Sequence, residues 1–105
     1  MITAKFLFTK DDLIKGFSIK GHSGFAKSGN DIVCASVSSV VYMAANTITE
    51  IINLKPQISN SDALLELTLK DGEAEKAKDI LDGLYLHISE MSKQYPNNIK
   101  IERGA

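Results

Sequence analysis

"IKGFSIKGHSGFAKSGNDIVCASVSSVVYMAA", residues 14–45, changes its apolar period midway. Up to Lys20 the pattern is two: Phe17 and Ile19 alternate with Ser18 and Lys20, as in a strand with one buried face. From Asp31 onward Val33, Val37, Val40, Ala44, Ile48 and Ile51 recur at steps of three and four, as on the buried face of a helix. Between them lies a loop with glycines at 21, 24 and 29. The stretch is therefore strand, glycine-bearing loop, helix, and the fold is built outward from it.

Toward the N-terminus, "ITAKFLF" (2–8) sets Ile2, Ala4, Phe6 and Phe8 against Thr3 and Lys5, and "TKDD" (9–12) supplies a turn. Together with residues 14–20 this predicts a hairpin. Toward the C-terminus the helix is expected to run from Asp31 to about Leu54, stopped by Pro56. A second uncharged stripe on it, Cys34, Ser38, Val41, Tyr42 and Ala45, predicts cover on more than one side.

The same order then returns without sequence repetition. "PQIS" is a weak strand, "SNSD" (59–62) a turn, and "LLELTL" a strand with Leu65, Leu67 and Leu69 on one face. "DGEAEKAKDILDGLYLHISEMSKQYP" (71–96) predicts a helix with Glu73 and Glu75 in its first turn. Its buried stripe is expected to be Ala77, Leu81, Leu84, Ile88, Met91 and Tyr95, with Pro96 closing it. "NIKIE" adds a last strand. The expectation is one α+β domain over residues 1–105, two helices on a mostly antiparallel mixed sheet in the order ββαββαβ.

Composition limits the function classes. The 105 residues are 44% apolar and 24% charged with a formal net charge of −1, which gives no basic footprint for nucleic acid or an anionic membrane. The uncharged run from Ile32 to Thr49 approaches a bilayer span in length, but its serines, threonines and asparagine favour a buried helix of a soluble domain. One cysteine excludes an intramolecular disulfide, and a reducing cytoplasm is the expected location.

That cysteine, Cys34, follows His22 by twelve positions. Asp31, or Asn30, as helix cap would place Cys34 in the first turn, where the helix dipole favours a thiolate. The eleven intervening residues span at most about 36 Å, so His22 can reach the thiol as general base. Attack of Cys34 on a carbonyl would follow, with backbone N–H groups receiving the oxyanion and Ser38, one turn on, within reach of the site. The same residues also read as a small core cysteine after a turn, a locally bonded histidine and a plain cap. A phosphate loop is disfavoured because the loop ends "GND" rather than Gly-Lys-Ser/Thr. Scattered His22, Cys34 and His87 give no metal-ligand spacing, and no metal or cofactor is expected.

The segment "GHSGFAKSGNDIVCASVSS" (21–39) resembles the signature of the ribosomal-processing cysteine proteases, the Prp family, and the resemblance extends over essentially the whole chain. It implies a catalytic dyad of His22 and Cys34, with Gly21, Asp31 and Ser38 in support. The implied substrate is the N-terminal extension of large-subunit ribosomal protein twenty-seven, cut between an aromatic pair and a small residue. A symmetric homodimer is also implied. The competing reading is a ribosome-associated binding module in which Cys34 only packs.

Overall fold

A computed structural model describes residues 1–21, 30–61 and 64–105, with the backbone alone described for Asn30 and Asp31. The expected hairpin is present as β1 (Ile2–Phe8) and β2 (Ile14–Lys20), antiparallel, with Ala4 opposite Ile19 and Phe6 opposite Phe17. Its turn is tied by Thr9, whose hydroxyl accepts from the N–H groups of Asp11 (3.2 Å) and Leu13 (3.1 Å). This is the local bonding that makes threonine a turn residue. Asp12 takes the left-handed conformation there, with φ of 63°.

Three further strands complete a five-stranded sheet of order β3-β4-β2-β1-β5. β3 (Gln57–Ser61) pairs antiparallel with β4 (Leu64–Thr68), β4 antiparallel with β2, and β5 (Ile99–Gly104) parallel with β1. Ser59–Ser61 of the expected "SNSD" turn belong to β3, so the link to β4 is residues 62–63, outside the described residues. On one face Ile2, Ala4, Phe6, Phe17, Ile19, Leu65 and Leu67 are all buried. On the other, Lys5, Glu66 and Thr68 are exposed. The helices therefore cover one face, and the period-two pattern of the strands records it.

The first helix, α1, spans Asn30–Asn46 and continues through a π-helical turn, Thr47–Ile51. Two expectations are corrected here. The helix opens at Asn30, so Asp31 lies inside its first turn and is not its cap. It also ends before Leu54, and Ile51 is 74% exposed. The cause is the wider turn: Ile52 N–H bonds the Thr47 carbonyl five residues back, which shifts the phase and rotates Ile51 away from the core. The buried stripe is Val33, Val37, Val41, Ala44 and Ile48, while Val40 is only half-buried. Ile32–Ile51 is, among the described residues, the one helical stretch long and apolar enough to cross a membrane, with mean hydropathy 1.5. Its stripe, however, packs in the same core as the strands and second helix.

The second helix, α2, is shorter than expected, Lys78–Gln94. Residues 71–77 form successive turns instead. Glu73 explains the late start: its carboxylate accepts the backbone N–H of Lys70 (2.7 Å) and of Lys55 (3.1 Å), clamping two loops. Those hydrogen bonds hold its carboxyl below the ordinary carboxylate value, the Lys70 N–H being the largest cause. Ala77, Leu81, Leu84, Ile88 and Met91 are buried as expected. Tyr95 is 40% exposed, because the helix stops at Gln94 and Tyr95 contributes its N–H to the Met91 carbonyl. Tyr85 of α2 meets the sheet edge-on, 5.0 Å from the Phe6 ring and 5.7 Å from Phe8. The Arg103 guanidinium lies 3.7 Å from the Phe8 ring centre.

Candidate active site

β2 delivers the chain to Gly21 and α1 takes it up again at Asn30, so the two ends of the glycine-bearing loop are set by a strand and a helix of one core. Gly21 closes β2 with φ of 89°, a conformation that side chains resist. A Cβ there would also collide with the carbonyl oxygen of Met1. Two independent constraints thus make residue 21 a glycine, and they fix where the chain leaves the sheet immediately before position 22.

His22 lies outside the described residues, as does the Asp31 side chain. Cys34 and Ser38 are described: both are half-buried and stand one turn apart on α1. With the helix opening at Asn30, Cys34 falls in its second turn and the dipole acts on it less than expected, since that effect fades beyond the first turn. Helical side chains lean toward the N-terminus, however, so the thiol projects back over that turn. Neighbouring helical positions carry no charge from Ile32 to Thr49. Cys34 packs against the core on one side but is not sealed in it. A reactive thiol has to be reachable, and this one meets that requirement where a fully packed core cysteine does not.

The sequence places Tyr42 on the stripe of Cys34 and Ser38 but gives no sign of its partner. Tyr42, eight residues beyond Cys34, is 40% exposed, and its hydroxyl accepts a long hydrogen bond, 3.5 Å, from the Asn60 amide on β3. The contact bridges residues 18 apart in the chain and leaves no local signature.

The architecture is that of a two-layer α+β protein with a half-buried cysteine on its first helix. Residues 1–100 match the family model described as cysteine protease Prp. A ribosomal processing cysteine protease Prp from Bacillus subtilis is 28% identical over 96% of this chain and 96% of its own length. A protein of the same name from Staphylococcus aureus is 24% identical, covering 96% and 97%. The fold superposes on the S. aureus essential ribosomal processing protease Prp in complex with a substrate peptide, with TM-score 0.88, 22% identity and coverage of 98% and 99%. The same protease with a covalently linked product peptide gives 0.86, with 24% identity and the same coverage. The chain belongs to the Prp family of cysteine proteases and is accordingly a hydrolase of peptide bonds.

Proposed function

We propose that this protease removes the N-terminal extension of a ribosomal protein precursor in the cytoplasm, with Cys34 as nucleophile and His22 as its base. The position of Cys34, half-buried and not sealed in the core, on the first helix of a Prp-family chain carries this reading. His22 takes the thiol proton and Cys34 Sγ attacks the scissile carbonyl carbon, giving a tetrahedral oxyanion held by backbone N–H groups. His22 returns the proton to the leaving amine, and the thioester is then opened by water. Asp31 and Ser38 support the site, and Gly21 sets the position of His22.

The substrate class follows from the family: the B. subtilis relative is a ribosomal processing protease, and large-subunit ribosomal protein twenty-seven, cut after an aromatic pair and before a small residue, is the precursor proposed here. A homodimer is part of the proposal, and the exposed Ile32, Met43 and Ile51 on the outer side of the first helix fit it. Incubation with a precursor peptide carrying the aromatic pair tests the reading. Wild type is expected to cut once, after the pair, and Cys34→Ala not at all. Uncut peptide with wild type, or equal cutting by the variant, would overturn it.

A further inference from the structure

The edge strand β3 is unlike the other four. All five of its residues are exposed, none is charged, and among the described residues it pairs only with β4. Its outer edge thus offers backbone N–H and C=O groups without the lysine, internal proline or bulge that ordinarily blunts such an edge. The two faces beside that edge differ. On the helix side, Ile58 and Asn60 stand opposite the buried Leu67 and Leu65, and Ile58 (46% exposed) and Tyr42 leave an apolar rim. On the opposite side an open cleft of about 400 Å³ is lined by Gln57, Ser59, Thr68 and Glu66, and Ile58 also lines it. Glu66 is its one charge.

An extended peptide meets both faces at once, because its side chains alternate. The rim is also continuous with the thiol: Cys34, Ser38 and Tyr42 follow one another at steps of four along α1. Cys34 to Tyr42 is about 12 Å along the helix axis, the length of roughly four residues of extended chain.

We propose that the free edge of β3 is the docking strand for the polypeptide substrate. The substrate adds to the sheet as a sixth strand, apolar side chains toward Tyr42 and Ile58 and polar or basic ones toward Glu66, and continues along α1 to Cys34. Tyr42 and Ile58 then select residues about four or more positions from the scissile bond. A second copy on the same edge would cover the rim but block the path to Cys34. This inference rests on Cys34 being the nucleophile, and its test reads binding separately from cleavage.

A fluorescein-labelled peptide reaching about six residues on each side of an aromatic pair, with apolar and lysine residues alternating, is titrated into the full-length Cys34→Ala protein. Adding Tyr42→Ala or Ile58→Lys is expected to raise Kd about tenfold. Both substitutions are at exposed positions, and an unchanged thermal midpoint shows that the fold is kept. A peptide trimmed to about three residues on each side is expected to bind weakly and equally to all three proteins. Cleavage by Cys34→Ala at the wild-type rate with these binding differences intact would refute the catalytic reading and leave the docking strand standing. Equal Kd values for the long peptide, or no binding, would overturn the docking strand. So would a wild-type dimer that Ile58→Lys turns into monomers, since the edge would then belong to a second copy.

Discussion

Gly21 and the Met1 carbonyl occupy space that no Cβ can share. The close approach falls at the first position after β2, immediately before His22, so a side chain there would displace the backbone that leads to the proposed base. Gly21→Ala adds this collision to the strain of φ at 89° and is expected to cost about 2 kcal/mol or more. Chemical denaturation measures the loss, and peptide cleavage is expected to fall further than the unfolded fraction accounts for, because position 22 moves with it. An alanine variant as stable and active as wild type would show that residue 21 is not so constrained.

The Glu73 clamp gives a pH dependence of definite sign. Its folded-state carboxyl titrates below the ordinary value of 4.5, chiefly through the Lys70 N–H. The stabilisation is therefore present above that value and is lost as pH falls through the lower, folded-state value. Thermal midpoints of wild type and Glu73→Gln are expected to differ most near neutral pH and to converge in the acid range. A constant difference across pH would contradict an ionised clamp.

Arg103 over Phe8 closes the opposite edge of the sheet, near the Tyr85 ring. Half-exposed and far in the fold from β3, the stack contributes to stability and not to substrate docking. Arg103→Ala is expected to lose about 1 kcal/mol by denaturation while KM is unchanged. Arg103→Lys should recover only part, because the planar guanidinium stacks better than an ammonium.

Ile88 is fully buried at the centre of the α2 stripe. Ile88→Ala removes that packing and leaves a void, for an expected loss of about 2–5 kcal/mol. Urea unfolding checks it. A loss below about 1 kcal/mol would mean that the helix does not pack as described.

Much of this molecule was legible from its residues, and the places where it was not share a cause. Alternation gave β1, β2 and β4 because each has one face on the core, and helical spacing gave Val33, Val37 and Ile48 for the same reason. The opening of α2 was misplaced because Glu73 looks like a first-turn acid. It instead captures the N–H of Lys55, 18 residues away, which only the folded chain brings near. Ile51 was assigned to the core on a period of 3.6 that the π turn interrupts. At the site, the spacing of His22 and Cys34 and the glycine at 21 were visible in the sequence. The Met1 contact that requires that glycine, and the Tyr42 and Asn60 contact beside the free edge, are tertiary and leave no periodicity.

Cys34 as the nucleophile can be measured directly as an acyl-enzyme. Wild type mixed briefly with a precursor peptide carrying the aromatic pair, quenched in acid and weighed intact, is expected to gain the mass of the acyl fragment N-terminal to the cut. Proteolytic mapping should place it on Cys34, with release by hydroxylamine, as a thioester requires. Cys34→Ala is expected to show neither adduct nor cleavage. Cleavage by Cys34→Ala at the wild-type rate would contradict the account.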